Sequence, residues 1–210
     1  GCAIAAGFAA STKMTGLSLI LLIAIWLIFD RFTTDRRIEW KRGLMFVGIA
    51  LLTCSPWYLK TQIYTANPVY PFFYSIFGGR GWSAELANGY AASQALFGIG
   101  HGVWHFLMLP YDLTFHWTEF CDSGQPWLYV GPILLVAVPL IFFAPKQRKL
   151  IGLALFFLAQ LAIWFVLTQQ SRYLIPSFAI LAILVAAIAY ANEKLQVMRV
   201  ALHIIFAAVA

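Results

Sequence analysis

Charge is what this chain most lacks. Only 10% of its 210 residues are charged, 14 Lys and Arg against 8 Asp and Glu, where a soluble domain carries roughly 25%. That shortage excludes an ordinary soluble globular domain. Cysteine is scarce too. Cys2, Cys54 and Cys121 make an odd count at no ligand-like spacing, which argues against a disulfide framework or a thiolate metal site. There is no His-Glu-x-x-His run, no glycine-rich phosphate loop and no serine, histidine and aspartate at nucleophilic spacing. The net charge of +6 is not gathered into a groove, so nucleic acid is not an expected partner. A three-part signal peptide is missing. The first residue is Gly1 rather than methionine, and both ends fall inside apolar runs of small residues. The expectation is an internal piece of a longer polytopic protein.

What the chain has in quantity is apolar surface. Hydrophobic residues make up 62% and aromatics 17%, and the mean hydropathy is +0.81. A helix needs roughly 20 apolar residues to cross a bilayer. The apolar runs predict an all-α, polytopic transmembrane helix bundle, with spans near 1–10, 16–29, 44–59, 127–144, 150–168, 173–190 and 199–210. Residues 1–29 are long for one span and short for two. The reading adopted is the end of one helix, then a second that starts at Gly16, with one long tilted helix as the alternative. Pro56 marks the upper end of the 44–59 span.

The bases set the orientation. Arg31, Arg36, Arg37, Lys41 and Arg42 share one short loop, Lys146, Arg148 and Lys149 another, and Lys194 and Arg199 a third, which together hold ten of the fourteen. Loops rich in Lys and Arg stay on the cytoplasmic side. Lys13, Lys60, Arg80 and Arg172 then fall outside. The acids divide evenly, as expected if bases alone decide. The predicted location is the plasma (inner) membrane, multi-pass, with residues 60–126 on the outer face as interfacial helices and loops.

That outer segment is the place for chemistry. Within it, 84–108 has helical composition interrupted by glycines, and is read as an amphipathic helix lying at the interface. Tyr58, Tyr64, Tyr70, Tyr74, Trp82, Trp104, Trp117 and Trp127 suit head-group depth. Asn67-Pro68-Val69-Tyr70-Pro71 reads as a turn followed by extended chain, since each proline disfavours helix just before it. Such backbone at membrane depth needs a cleft or protein around it.

The candidate binding residues are cations at the outer surface. Lys13 either snorkels to water or meets an anionic head group. Arg172 sits in a very short turn with Tyr173, and a guanidinium can hold two phosphate oxygens at once; its plainer reading is an interfacial anchor. Asp112, an acid among apolar neighbours, caps a helix, pairs with a base such as Lys60, or serves the reaction. Glu119 and Asp122 read as solvated. His101 and His105 are four apart, so on a helix they would share a face, but no carboxylate partner for a metal is evident. His116 reads as interfacial and His203 as an interhelical residue. No cofactor is predicted, and no residue pattern supports a divalent metal.

Several stretches resemble one family. Gly7-Phe8-Ala9-Ala10-Ser11-Thr12-Lys13-Met14-Thr15-Gly16-Leu17 is similar to a Thr-Lys-aromatic-Thr-Gly-Leu stretch of polytopic GT-C glycosyltransferases, which include protein mannosyltransferases, lipid A aminoarabinose transferases and bacterial relatives. Ser55-Pro56-Trp57-Tyr58-Leu59-Lys60 and Asn67-Pro68-Val69-Tyr70-Pro71-Phe72-Phe73 resemble a paired motif of those relatives. Leu109-Pro110-Tyr111-Asp112-Leu113-Thr114 and Arg172-Tyr173-Leu174-Ile175-Pro176 match two more, in family order. Met14 stands where an aromatic is common, Tyr111 replaces tryptophan, and Thr61-Gln62 replaces an asparagine.

The resemblance implies a sugar moved from a polyprenyl-phosphate or polyprenyl-diphosphate donor to a glycan, lipid or protein acceptor on the outer face. It implies that Lys13 and Arg172 hold the donor phosphate, with Tyr173 and Lys60 assisting and Asp112 orienting an acceptor hydroxyl or a basic partner. The family's catalytic carboxylate lies in a first outer loop upstream of this chain. A transporter or flippase of a lipid-linked glycan and an inactive assembly subunit are the alternatives. Transport is disfavoured, because no mid-depth charge or internal repeat is visible.

Overall fold

A computed structural model of the chain describes residues 1–29, 38–121, 129, 131–141 and 147–191. The described residues form helices and turns, with no strand among them. Most of the first basic loop, Lys146 of the second and the expected last span lie outside the described residues, as do Asp122, Trp127 and His203, while Arg148 and Lys149 open a helix rather than a turn. The chain divides into two compact units, Gly1–Gln94 and Ala95–Ala210.

The first unit is built on α1 (Cys2–Thr12), α2 (Gly16–Phe29) and α3 (Trp40–Thr65). Two helices, not one, therefore occupy 1–29. Lys13 has extended backbone and interrupts them, and its N–H closes α1 on the carbonyl of Ala9. These helices meet through small residues. Ala6 and Ala10 of α1, Ile20 and Ala24 of α2, and Phe46, Ala50 and Cys54 of α3 form one buried cluster. A β-carbon on Gly7 would lie 2.6 Å from the Ala50 carbonyl oxygen. Side-chain-free contact of this kind lets two helix backbones approach closely, as it does between helices in lipid.

The α3 helix corrects the boundary expected at Pro56. It runs on to Thr65 and begins at Trp40, so Lys41 and Arg42 belong to its first turn rather than to a loop. Proline inside a helix removes an N–H and leaves the carbonyl four residues earlier open. That carbonyl belongs to Leu52, and the Ser55 hydroxyl donates to it at 2.8 Å. The serine before the proline thus repairs the defect that proline creates.

Between the exposed Lys41 and Arg42 at one end of α3 and Lys60 and Gln62 near the other, apolar side chains stay uncovered: Leu44, Met45, Leu52 and Leu59 are all exposed. The 43–59 stretch carries no charge on any face, a pattern that belongs in a core or a membrane. With 26 residues, α3 is one of two helices long and apolar enough to cross a membrane among the described residues, the other being Arg148–Leu167.

Beyond α3, Ala66 adopts a left-handed conformation and caps the helix on the Gln62 carbonyl. Asn67, fully buried, then organises the following loop. Its Nδ2 donates to the carbonyls of Phe72 and Gly78, and its Oδ1 accepts from the N–H of Val69. Successive turns run from Pro68 to Pro71 where extended chain was expected, because this one amide gathers the backbone around itself. A single helical turn, α4 (Tyr74–Phe77), and the exposed α5 (Ala84–Ala95) complete the unit. The interfacial helix predicted over 84–108 is therefore two helices parted by a glycine-bearing loop.

The second unit holds α6 (Val103–Phe115), a 3-10 turn at Trp117–Phe120, α7 (Ile133–Ile141), α8 (Arg148–Leu167), a 3-10 turn at Ser171–Tyr173 and α9 (Ile175–Ala191). Its core joins Leu109 and Leu113 of α6, Phe120, Leu134 of α7, Phe157, Leu161 and Trp164 of α8, and Leu174, Leu181 and Leu184 around α9. The indole of Trp164 stacks on Phe120, with ring centroids 6.1 Å apart. Leu155, Val166 and Leu167 of α8 are exposed, so this helix also carries apolar surface that its own unit leaves uncovered.

Candidate functional site

The sequence-predicted residues divide between the two units. Lys13 and Lys60 belong to the first, and Asp112, Arg172 and Tyr173 to the second.

Lys13 is exposed at the break between α1 and α2. The end of α1 leaves carbonyls that no helical N–H can reach. One of them, Ala10, accepts a 3.0 Å hydrogen bond from the Tyr58 hydroxyl of α3. The Lys13 turn is therefore braced by a residue that sequence reasoning assigned to the lipid interface. Lys60, one helical turn from Trp57, places its Nζ 5.2 Å from that indole ring. This cation–π contact holds the ammonium at the helix surface.

Arg172 is exposed on the 3-10 turn that follows α8, with its guanidinium 5.0 Å from the ring centre of Tyr173. The residues before it are the opposite of exposed: Gln169, Gln170 and Ser171 are 1%, 2% and 3% accessible. Buried polar groups are costly unless bonded, and the bonds made here define the turn. Gln169 Nε2 donates to the Gly100 carbonyl at 2.6 Å and to Phe165 at 3.2 Å, while its Oε1 accepts from the Ile99 N–H. Trp164 Nε1 donates to the Gln170 carbonyl at 2.8 Å. Ser171 Oγ and Cys121 Sγ share a 3.0 Å hydrogen bond.

The loop that Gln169 holds is shaped to receive it. Gly98 has φ +86, and a β-carbon there would overlap the Gln169 side chain. Only glycine tolerates both the backbone and the close approach. The Gly98 N–H in turn bonds the Glu119 carbonyl at 2.6 Å. His101 lies in this loop, before the start of α6, so it does not share a helical face with His105 as expected. Its ring nitrogen Nδ1 instead bonds the Phe165 carbonyl at 3.0 Å. No metal-ligand cluster occurs among the described residues.

Asp112 is 6% accessible, one of four buried residues of α6 with Leu109, Leu113 and Thr114. Its partner is a base, though not Lys60: it is His116, the C-cap residue of α6. Oδ1 lies 2.9 Å from His116 Nδ1, one helical turn on, and the His116 N–H bonds the Asp112 carbonyl at 2.7 Å. His116, assigned to the interface by sequence, is thus one half of a carboxylate–imidazole pair. Its side chain is 53% exposed, against 9% for that of Asp112. Four-residue spacing on one helix was the legible signal, and the break at the end of α6 obscured it.

Chemically, the second unit offers an exposed guanidinium on a turn clamped from three directions. It also offers an imidazole whose far edge faces out while a buried carboxylate holds the near one.

The sequence matches the model of one family over residues 2–204, a family described as Domain of unknown function (DUF8201). No curated protein and no solved structure matches the chain.

Proposed function

The chain belongs to the DUF8201 family, and we propose that it is the C-terminal-side part of a polytopic membrane glycosyltransferase. In this reading a sugar passes from a polyprenyl-phosphate donor to an acceptor on the outer face of the plasma membrane. Residues 60–126 lie on that face, and α3 and α8 are two of the spans. The exposed apolar faces of both helices support a lipid surround, since soluble monomers seldom leave such contiguous area open.

The observation that carries the reading is the Gln169–Tyr173 turn. A guanidinium bound for a phosphate must be aimed, and its backbone must not yield when the ligand binds. Here buried Gln169, Gln170 and Ser171 fix the backbone directly below Arg172. Lys13, on its own braced turn in the first unit, is a second cation suited to phosphate. As the bond to the sugar breaks, negative charge gathers on the departing phosphate, and the Arg172 guanidinium stabilises it. Tyr173 assists beside Arg172, and Lys60 is an assisting cation of the first unit.

The test replaces Arg172 with Ala and with Lys, and Lys13 with Ala, in the full-length protein. Release of polyprenyl phosphate is then measured from a polyprenyl-phosphate-linked hexose in native membranes, which contain the acceptor. Arg172→Lys keeps the charge but loses the two-point fork, so it should recover only part of the activity. Wild-type transfer by folded Arg172→Ala and Lys13→Ala proteins would refute the phosphate role.

A further inference from the structure

A hydroxyl that attacks a sugar must lose its proton, and the chain carries a group built to take it. We propose that His116, held by Asp112, is the proton acceptor of this reaction; the inference rests on the glycosyl-transfer reading above. The proton then goes to this imidazole rather than to the upstream carboxylate that the family resemblance implies.

The argument starts with the hydrogen on the ring. An ionised carboxylate only accepts hydrogen bonds, so with Asp112 as the carboxylate the 2.9 Å contact puts the hydrogen on His116 Nδ1. In the neutral ring, Nε2 therefore carries the lone pair. No hydrogen-bond partner of Nε2 occurs among the described residues, and the side chain is about half exposed. The carboxylate is buried, its side chain 9% exposed. It also stabilises the imidazolium that forms once the proton arrives, the role an acid plays behind the histidine of a hydrolytic triad.

The surroundings hold the ring in place. Tyr111 stands edge-on at 5.6 Å, and the Glu119 N–H bonds the His116 carbonyl at 3.0 Å. Asp112, Tyr111 and Glu119 are thus the titratable groups set around it. The 3-10 turn after His116 leads to Cys121, which bonds Ser171 beside Arg172. One continuous segment therefore runs from the imidazole to the turn that carries the guanidinium.

The step balances as follows. The acceptor O–H bond breaks, and its proton moves to His116 Nε2. The acceptor oxygen forms a bond to the anomeric carbon. The bond from that carbon to the phosphate oxygen breaks, and its electron pair leaves with the polyprenyl phosphate. The imidazolium later returns its proton to water.

The experiment measures the pH dependence of polyprenyl phosphate release from a polyprenyl-phosphate-linked hexose, in native membranes with the full-length protein. A base must be unprotonated to work, so wild-type activity falls toward low pH. His116→Gln keeps a donor for Asp112, so its fold should hold. It should lower the rate about 10²-fold or more and abolish the acidic limb, and added imidazole should restore part of the rate to His116→Ala. Asp112→Asn, which keeps the volume, should move the limb. It carries the test should the His116 variants fail to fold. Nitrogen NMR of labelled histidine reads the Nδ1–H form without any turnover, and Asp112→Asn should alter it.

A wild-type acidic limb retained in folded His116→Gln overturns this inference alone, and returns the proton to the upstream carboxylate. A wild-type protein that releases no polyprenyl phosphate overturns the transfer reading, and this one with it. Loss of rate with an unchanged limb would make His116 structural, which also refutes the proposal.

Discussion

The Tyr58 hydroxyl donates a 3.0 Å hydrogen bond to the Ala10 carbonyl, 48 positions earlier in the chain. The bond joins the end of α1 to the last third of α3, beside the Lys13 turn. Substituting phenylalanine keeps the ring and removes only the donor. Tyr58→Phe should cost about 1 kcal/mol, a fall of about 2–4 °C in the apparent Tm of the detergent-solubilised protein. It should also lower activity through Lys13 without altering the pH profile assigned to His116.

Gly7 and Gly48 make a matched pair. A β-carbon on Gly7 would meet the Ala50 carbonyl and Thr53 at 2.6 Å, whereas one on Gly48 would meet open space. Gly7→Val should push α1 off α3, at a cost of about 1–3 kcal/mol. Gly48→Ala should leave the melting temperature at or above wild type. Thermal melts of the two variants side by side check both halves of the prediction.

Gln169 should govern the loop it holds. Gln169→Leu strips the partners from the Gly100 carbonyl and the Ile99 N–H, at a cost of about 1–3 kcal/mol for buried groups left unpaired. Hydrogen exchange gives the sharper reading. The Ile99 amide should lose protection, while the Gly98 amide, bonded to Glu119, should keep it. Equal loss at both sites would mean that the loop depends on more than this side chain.

The orientation read from the bases is open to labelling. In a background without Cys2, Cys54 and Cys121, Glu85→Cys should react with a membrane-impermeant maleimide in intact cells. Lys149→Cys should react only after permeabilisation. The reverse pattern would turn the proposed outer face inward and remove the donor site from it.

The legible part of the fold was that written in local sequence. Fourteen consecutive residues from Gly16 to Phe29 carry no charge, and they form a helix. The polar interruption at 11–13 marks the break before it. Proline was the less reliable sign. Pro56 was read as a helix end because the residue itself costs a hydrogen bond, but Ser55 supplies a substitute at Leu52, and α3 continues to Thr65. Asn67 gave a turn but not its extent, since its reach to Gly78 spans eleven positions. At the candidate site, Arg172 and Asp112 stood out as lone charges, whereas Gln169 and His116 did not. A glutamine after an apolar helix reads as a surface residue until its partners are seen. The spacing of Asp112 and His116 was present in the chain, yet only a helix that persists to Phe115 makes it a contact.

The sequence by itself determined the all-helical character, the long apolar stretches of α3 and α8 and the scarcity of charge, because hydropathy and backbone preference act over a few neighbouring residues. Tertiary structure alone decided that Tyr58 closes α1, that Gln169 holds the 98–101 loop and that Cys121 meets Ser171. Each of these bonds joins groups distant along the chain. Which distant groups meet depends on how small residues let helices approach and on where a buried polar atom finds its one available partner, and neither is encoded at any single position.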